Sequence, residues 1–314
     1  MASTRLVDEI GVLMQHPMAF YEEIIHRSDP RVKDWLWMQS PIPTVLLCAL
    51  YLLCVAVGPR VMKNREPFDL RRVLIIYNFA LVALSGYIVY QLVTLSIEAG
   101  YNYICQPMSY STEPVHVGAL CDWINRLRTQ TRTKIAAALW WYYFSKFVEF
   151  FDTIFFILRK KNNQISFLHV YHHTSMFFLW WIGIKWVAGG QSLMGALANS
   201  VVHLIMYTYY GFSAFGPSVQ KYIGKYKKRV TQLQLVQFVG ALIHGSNSLY
   251  IDCNFPKWMH YILLGYATSF VILFTNFYVI AYTKKSDKSA SKTSEGVRIQ
   301  NGSVPTSEDA KKHD

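Results

Sequence analysis

Charged residues are scarce in this chain. Only 16% of its 314 residues are Asp, Glu, Lys or Arg, whereas soluble domains carry about 25%. Hydrophobic residues make up 52% of the sequence and aromatic residues 16%. This balance excludes a large soluble core and indicates a polytopic membrane protein.

Several familiar signals are also missing. The N-terminus, MASTRLVDEIGVLMQHP, lacks the basic region, apolar region and cleavage site of a signal peptide, so we expect insertion to depend on the first spanning helix. No repeat of regular period is found. The five cysteines include no CxxC pair, which argues against a zinc site.

Apolar runs approach the roughly 20 residues that a helix needs to cross the hydrocarbon core. They predict spans at about 42–61, 73–95, 135–157, 166–186, 191–213, 231–250 and 259–281. We therefore predict an all-α membrane protein with seven transmembrane helices in one bundle, over residues 40–282. An amphipathic lumenal segment (1–39) should precede the bundle, and a disordered polar tail (283–314) should follow it.

Lys and Arg are concentrated in the loops that alternating spans place on one side of the membrane. These are the loops at 60–72, 158–165 and 216–230, together with the tail. The positive-inside rule makes this side cytosolic, with the C-terminus on it and the N-terminus opposite. Contact with anionic headgroups then accounts for the net charge of +12, and nucleic acid is not expected as a partner.

The two sides of the membrane give two further predictions. Cys105 and Cys253 fall in loops on the non-cytosolic side, where thiols oxidise, and we predict a disulfide between them. The tail ends in Lys311-Lys312-His313-Asp314, which resembles the cytosolic dilysine retrieval signal of endoplasmic reticulum membrane proteins. We therefore predict that the chain resides in the endoplasmic reticulum membrane.

Ionisable residues inside the predicted spans are the most informative ones. His169, His172 and His173 lie at i, i+3 and i+4 of the fourth span, so they share one helical face. Ionisable groups are costly in hydrocarbon and indicate a functional site. Three on one face predict a membrane-embedded catalytic or metal site.

Other spans carry polar groups that need partners. Lys146 and Glu149 can pair along the third span, whereas Asp152 needs a partner on another helix, for which we predict a histidine. Asn199 and His203 share a face of the fifth span. Because such groups must point inward, they predict a closed bundle with a polar centre. Lys146 and Glu149 then serve helix packing, catalytic support or both.

Four motifs, taken in order, resemble the ELO family of very-long-chain fatty acid elongases. They are Lys146-x-x-Glu149-x-x-Asp152-Thr153, His169-x-x-His172-His173, Asn199-x-x-x-His203-x-x-Met206-Tyr207-x-Tyr209-Tyr210 and Thr231-x-x-Gln234-x-x-Gln237. The resemblance runs from about residue 37 to 282. Residues 107–134 depart from it and look like a lumenal insertion, for which we predict a short helix on the membrane surface.

The resemblance implies a 3-ketoacyl-CoA synthase. Such an enzyme joins a long or very long acyl-CoA, polyunsaturated chains included, to malonyl-CoA and releases CO2 and CoA. The resemblance also implies a seven-helix fold around an acyl tunnel, homo-oligomers and association with other enzymes of the elongation cycle. CoA thioesters are then the substrates, and neither a further cofactor nor a metal is expected.

Chemistry assigns roles to the motif residues. We predict that the neutral imidazole of His172 takes the acyl group, because a covalent intermediate splits one difficult step into two. This agrees with the role that the family gives its second box histidine. His203 and Asn199 would stabilise the developing enolate or oxyanion. The groups that orient the nucleophile would be His169, His173 and Asp152.

Substrate contacts are predicted at two places. Arg159, Lys160 and Lys161 end the third span on the cytosolic side and would bind the CoA phosphates, although each one equally suits a lipid headgroup. The other predicted contacts are polar residues of the fifth and sixth spans, namely Tyr207, Tyr210, Gln234, Gln237 and His244.

Two other functions fit parts of this pattern. A di-iron membrane desaturase or hydroxylase also has histidine boxes, because imidazole is a good iron ligand. Such enzymes need more histidines than the five in the predicted spans, which are His169, His172, His173, His203 and His244. A seven-helix receptor or transporter is the second alternative, and it leaves the histidine face unexplained.

Overall fold

The computed structural model describes Glu22, Ile25 and residues 28–108, 110 and 119–283, with the side chains of 119–126 left aside. Within these ranges, the regular structure is helical throughout. The helices are α1 Ile42–Val61, α2 Arg71–Glu98, α3 Ala119–Val148, α4 Phe150–Leu158, α5 Phe167–Val187, α6 Ser192–Ser213, α7 Pro217–Ile223, α8 Lys227–Tyr250 and α9 Lys257–Tyr278. Short 3-10 turns at Asn162–Gln164 and Gly224–Tyr226, and a π-helical turn at Val279–Thr283, complete them.

Three helices are long and apolar enough to cross a membrane on their own. They are α1, α2 and the stretch Lys257–Tyr282, which joins α9 to the π-helical turn. The shortest has 20 residues, and at 1.5 Å per residue it measures about 30 Å, the thickness of the hydrocarbon core. The other four predicted spans are helical too, as α3 with α4, α5, α6 and α8, but their polar side chains lower their apolar character. A seven-pass arrangement therefore stays a prediction.

The helices close into a bundle. Pairwise contacts lead round a ring from α3 to α6, α8, α9, α5 and back to α3. Two further helices, α1 and α4, pack together on the outside of this ring, and α1 also contacts α5. Helix α2 packs on the outside of α3 and α6. The polar side chains of α3, α5 and α6 thus face partners within one bundle.

A side-chain cap fixes the start of α5, the helix of the histidine motif. Ser166 is extended, and its Oγ accepts a hydrogen bond from the backbone amide of His169 at 3.2 Å. Such a cap satisfies one of the free amides of the first turn. It therefore sets the rotation of α5 from which His172 and His173 follow.

One end of the bundle, here called the basic end, gathers the loops 62–70, 159–166 and 214–226. The amide of Phe68 donates to the carbonyl oxygen of Leu158 at 3.0 Å, and Arg71 Nε donates to that of Ala214 at 3.3 Å. The turn after α9 lies here too, because the hydroxyls of Tyr282 and Thr231 are 3.2 Å apart. The basic loops from which the cytosolic side was predicted are therefore neighbours in space.

The opposite end, here called the disulfide end, gathers the loops 99–108, 188–191 and 251–256. A disulfide joins Cys105 to Cys253, and the amide of Met108 donates to the carbonyl oxygen of Asn254 at 3.0 Å. Gln191 Nε2 donates to the carbonyl oxygen of Ile104 at 2.9 Å. Three connections that are far apart in sequence therefore form one cap.

Residues 28–39 pack against this end as a series of turns. Asp29 is fully buried and pairs with Arg31, whose Nη2 also donates to the carbonyl oxygen of Ala188 at 2.9 Å. Trp181 Nε1 donates to the carbonyl oxygen of Trp37 at 2.7 Å. The described part of the predicted N-terminal segment is thus anchored to α5, while residues 1–21 lie outside the described residues.

The prediction of a separate surface helix within 107–134 is wrong for its second half. Helix α3 runs unbroken over Ala119–Val148, so it begins about 24 Å before the predicted span start at residue 135. Thr131 Oγ1 donates to Glu98 Oε1 at 2.8 Å and holds this extension against the end of α2. Residues 111–118 lie outside the described residues, as do Lys311 and Lys312 of the predicted retrieval signal.

Loss of the disulfide should destabilise the disulfide end. For the double variant C105S/C253S we expect a free energy of unfolding lower by about 2–5 kcal/mol, because the cap loses its covalent link. The measurement is the melting temperature of the purified protein in detergent. Cys54→Ser, which removes a half-buried free thiol of α1, is the control. A double variant that melts with the parent protein would contradict this expectation.

Candidate active site

A helix break at Glu149 separates α3 from α4. The amide of Asp152 donates to the carbonyl oxygen of Glu149 at 3.1 Å, a tighter spacing than in an α-helix. The Tyr77 hydroxyl of α2 donates to the neighbouring carbonyl oxygen of Val148 at 3.1 Å. Irregular turns inside helices often mark functional sites. Here Glu149 lies at the irregular turn, and Asp152 lies in the first turn of α4.

A buried ion cluster lies beside this break. Lys146 Nζ is 2.7 Å from Glu149 Oε1, which is the pair predicted along the helix. The same carboxylate oxygen is 3.1 Å from His203 Nδ1 of α6. The three side chains are only 2%, 3% and 7% exposed. Because a buried charge is stable only when it is paired, this cluster fixes α3 against α6.

Asn199 extends the cluster to a third helix. Its Oδ1 accepts hydrogen bonds from the Tyr142 hydroxyl at 2.7 Å and from Lys146 Nζ at 3.0 Å. Its Nδ2 donates to Gln237 Oε1 of α8 at 3.5 Å. Asn199 and His203, which were predicted to share a face of α6, thus contact the same lysine.

The three histidines of α5 lie together, as their spacing predicts. The rings of His169 and His173 are 4.3 Å apart, and those of His172 and His173 are 5.2 Å apart. His169 Nε2 is hydrogen-bonded to Thr153 Oγ1 of α4 at 2.8 Å. His169 is therefore held on the α4 side of the bundle.

His172 occupies a different environment from the other two. Its ring centre is 6.4 Å from that of His203 and 5.4 Å from that of Phe270 on α9. The side chain is half-buried, and within the described part of the chain neither ring nitrogen has a hydrogen-bond partner. Among the described residues His173 Nδ1 also lacks a partner, but His173 is buried, so His172 is the more accessible of the two and lies close to the ion cluster.

The partner predicted for Asp152 is wrong. Asp152 Oδ2 accepts a hydrogen bond from the Tyr207 hydroxyl of α6 at 2.7 Å, and not from a histidine. Two of the nearby histidines have other partners, since His203 contacts Glu149 and His169 contacts Thr153. Asp152 therefore positions a tyrosine of the predicted substrate-binding set.

The other predicted substrate-binding residues are only partly brought together. Gln237 contacts Asn199, and Gln234 Nε2 lies 3.3 Å from Met206 Sδ. The Tyr210 ring contacts that of Tyr207 at 6.0 Å, although 42% of Tyr210 is exposed.

His244 lies away from this group. Its Nε2 is 3.0 Å from the carbonyl oxygen of Tyr103 at the disulfide end. Gln237, which contacts Asn199, lies on the same helix about two turns earlier. His244 thus lies outside the group of side chains that meets at Asn199.

The predicted phosphate-binding residues lie at the basic end. Arg159 follows α4 and lies seven residues after Asp152, about 10 Å along a helix axis. Lys160 has a left-handed backbone with φ 52°, and its Nζ donates to the carbonyl oxygen of Lys63 at 3.0 Å. Lys161 is exposed. These basic groups thus lie about two turns from the acidic residues.

Sequence reasoning missed three tyrosines. Tyr142 binds Asn199, Tyr77 binds the carbonyl oxygen of Val148, and the Tyr51 hydroxyl is 2.9 Å from Thr153 Oγ1. Tyr142 carried a signal, because it precedes Lys146 by one helical turn and so shares its face. Tyr51 and Tyr77 lie in apolar helices, where nothing in the sequence singles them out.

Among the described residues, no group of three His, Cys, Asp or Glu side chains is arranged to hold a metal ion. His169 is hydrogen-bonded to Thr153, and the His172 ring contacts that of Phe270.

Known proteins identify the family. Residues 36–290 match the ELO family, described as the GNS1/SUR4 family. The chain is 50% identical to very long chain fatty acid elongase 4 of Homo sapiens over 288 residues, 92% of this chain and 86% of that protein. For very long chain fatty acid elongase 4 of Mus musculus, identity is 53% over 297 residues, 95% of this chain and 90% of that protein. For very long chain fatty acid elongase 5 of Xenopus laevis, identity is 43% over 285 residues, with 91% and 88% covered. The matched range contains all four motifs and the ion cluster, and the chain belongs to the ELO family.

Proposed function

We propose that this chain is a very-long-chain 3-oxoacyl-CoA synthase. It condenses a long or very long acyl-CoA, polyunsaturated chains included, with malonyl-CoA. The names of its relatives, very long chain fatty acid elongases, support elongation and disfavour the desaturase alternative. The single observation that carries the chemistry is His172, a half-buried imidazole with unengaged nitrogens beside a buried ion cluster.

The first step transfers the acyl group to the protein. A neutral nitrogen of His172 attacks the thioester carbonyl, the C–S bond breaks, and an acyl-imidazole forms. The imidazole proton leaves with the thiolate, so CoA is released as the thiol. A covalent intermediate of this kind divides one difficult transfer into two easier ones.

The second step forms the new carbon–carbon bond. Malonyl-CoA loses CO2, and the resulting enolate carbon attacks the carbonyl of the acyl-imidazole. The C–N bond breaks, and the imidazole of His172 takes a proton from water as 3-oxoacyl-CoA is released, so the whole reaction consumes one proton. Asn199 supplies a hydrogen-bond donor for the enolate oxygen, and His203 supplies a second one from Nε2 when its ring is protonated beside Glu149, since fixed donors stabilise charge that develops in the transition state.

The contacts revise the roles of the supporting groups. Glu149 holds Nδ1 of His203 at 3.1 Å and leaves Nε2 to face the substrate, as a carboxylate orients the histidine of a triad. Thr153 holds His169, which packs on His173. Asp152 instead fixes Tyr207 and acts on the substrate pocket.

The two parts of the substrate, CoA and the acyl chain, extend toward opposite ends of the bundle. Arg159, Lys160 and Lys161 at the basic end bind the CoA phosphates, for which Lys and Arg are the natural partners. The acyl chain follows the aromatic interior toward the disulfide end, past Tyr207, Gln234 and Gln237. CoA thioesters are the substrates, and the reaction needs no further cofactor.

The proposal includes the membrane in which the chain resides, its orientation and its partners. The chain crosses the endoplasmic reticulum membrane seven times, with the basic end and the C-terminus in the cytosol and the disulfide end in the lumen. The disulfide and the asymmetry of basic residues between the two ends support this orientation. The enzyme forms homo-oligomers and associates with the other enzymes of the elongation cycle.

His172→Ala should abolish condensation, because the acyl acceptor is removed. Microsomes that contain the variant are supplied with radiolabelled malonyl-CoA and a series of long and very long acyl-CoAs. We expect products two carbons longer from the parent protein and none from the variant. His244→Ala, which removes an imidazole bound to a backbone carbonyl at the disulfide end, is the matched control. Full product from His172→Ala would refute the proposed mechanism.

Tyr207→Phe should destabilise the site by removing the partner of Asp152. Asp152 is half-buried, and a hydrogen bond to a charged group contributes about 1.5–3 kcal/mol. We expect a lower melting temperature in detergent and reduced condensation. Tyr210→Phe, whose hydroxyl has no hydrogen-bond partner within the described residues, should leave the melting temperature close to the parent value. Equal melting of the two variants would show that the contact with Asp152 contributes nothing.

The orientation can be tested with sealed microsomes. A tag fused after Asp314 should be cleaved by added protease, whereas a tag inserted at Asp252 of the disulfide end should be protected until detergent is added. This result follows from an odd number of passes with the basic loops in the cytosol. Protection of the C-terminal tag would mean that the chain is inserted the other way round.

A further inference from the structure

Asn199 has one orientation of its amide in this site, because Lys146 determines which atom faces it and the Tyr142 hydroxyl contacts the same atom. An oxygen accepts hydrogen bonds and an amide nitrogen only donates them. The atom of Asn199 that faces the Tyr142 hydroxyl and Lys146 Nζ, at 2.7 and 3.0 Å, must therefore be Oδ1, because an ammonium group can only donate. The NH2 group is then turned toward α8.

The NH2 group of Asn199 is held but weakly used. Its contact with Gln237 Oε1 measures 3.5 Å, well beyond the usual N–H···O distance of about 2.9 Å. Asn199 is buried, and a buried donor with so poor a partner retains most of its capacity for a better acceptor. The enolate oxygen of the condensation step is such an acceptor.

We propose that Tyr142 is a positioning residue that locks the Asn199 amide with its NH2 group toward the enolate oxygen. This inference rests on the proposed function. Tyr142 does not touch the substrate. It acts through Asn199, and it matters most in the step in which the enolate forms.

The Tyr142 hydroxyl is itself fixed from two sides. Its ring packs on Trp180 of α5 with centroids 4.4 Å apart, and Lys146 Nζ lies 4.5 Å from the ring centre. Tyr142 is 1% exposed. Phenylalanine at this position keeps the ring and both contacts and removes only the hydrogen bond to Asn199.

Lys146 cannot replace the tyrosine. Its ammonium group is shared among Glu149, Asn199 and His203, with distances of 2.7, 3.0 and 3.5 Å. A lysine ammonium is a rotatable point charge and imposes little direction on its acceptor. The rigid phenol hydroxyl is therefore the donor that fixes the plane of the Asn199 amide.

The next residue along the helix provides a matched control. Tyr143 is also fully buried, and its hydroxyl is hydrogen-bonded to Thr44 Oγ1 of α1 at 2.7 Å. Its ring stacks on Phe177 at 4.9 Å. Tyr143→Phe thus removes an equally buried tyrosine hydroxyl from the same helix turn, on the side that faces away from Asn199.

The experiment compares Y142F, Y143F, N199A and Y142F/N199A in the full-length protein purified in detergent. Melting temperature, kcat and KM for condensation, and acylation by acyl-CoA without malonyl-CoA are measured for each. For Y142F we expect kcat to fall about 10- to 100-fold, less than the roughly 10²–10³-fold cost of deleting an oxyanion donor. KM for acyl-CoA and the extent of acylation should stay close to the parent values.

The controls separate positioning from stability. Y143F should lower the melting temperature as much as Y142F does while kcat stays close to that of the parent. Y142F/N199A should be no slower than N199A, because Tyr142 acts only through Asn199. Equal kcat for Y142F and Y143F, or additive losses in the double variant, would overturn the proposal while the proposed function stands. A parental kcat for N199A would overturn the role of Asn199 itself.

Discussion

One carboxylate oxygen of Glu149, which contacts both Lys146 and His203, holds the centre of this molecule together. Glu149 Oε1 lies within 2.7 Å of Lys146 Nζ and 3.1 Å of His203 Nδ1, in a region with almost no exposure. Removal of one partner would leave a buried charge uncompensated, which costs about 3–5 kcal/mol. The cluster therefore specifies how α3 and α6 face each other, and Asn199, Tyr142 and Gln237 follow from that register.

The remainder of the fold surrounds this centre with layers that require less specificity. Helices α1, α2 and α9 are apolar enough to lie in hydrocarbon, and their outward faces carry exposed large hydrophobic residues such as Leu46, Ile76 and Ile272. The two ends are held differently. The disulfide end is tied by a covalent bond and buried turns, whereas the basic end is tied by hydrogen bonds to loop carbonyls.

This division has a consequence for the chemistry. The ring of His172, which we propose as the nucleophile, contacts that of His203 in the ion cluster and that of Phe270, so it has a polar neighbour and an apolar one. An acyl thioester likewise has a polar carbonyl group at its reacting carbon and an apolar chain attached to that carbon. The polar side supplies donors for developing charge, while the apolar side accommodates the chain.

The sequence predicted the helices and the polar centre because both leave a periodic or compositional trace. Apolar runs located the helices, and the spacing of His169, His172 and His173 placed them on one face. The break at Glu149 was not predicted, since residues 135–157 read as one continuous span. The start of α3 at Ala119 was missed because hydropathy detects membrane residence and not helix in a polar segment. The pairing of Asp152 with Tyr207, and the distance of His244 from the centre, depend on the rotation of neighbouring helices, which no single helix encodes.

The central claim is that an acyl group on His172 forms and is then consumed by malonyl-CoA. A pulse-chase experiment on the purified protein tests it most directly. The protein is incubated with one acyl-CoA in the absence of malonyl-CoA, and its peptides are analysed by mass spectrometry before and after malonyl-CoA is added. The account predicts one equivalent of released CoA, an acyl adduct on His172, and disappearance of that adduct as 3-oxoacyl-CoA forms. An adduct on another residue, or an adduct on His172 that persists while product accumulates, would contradict it.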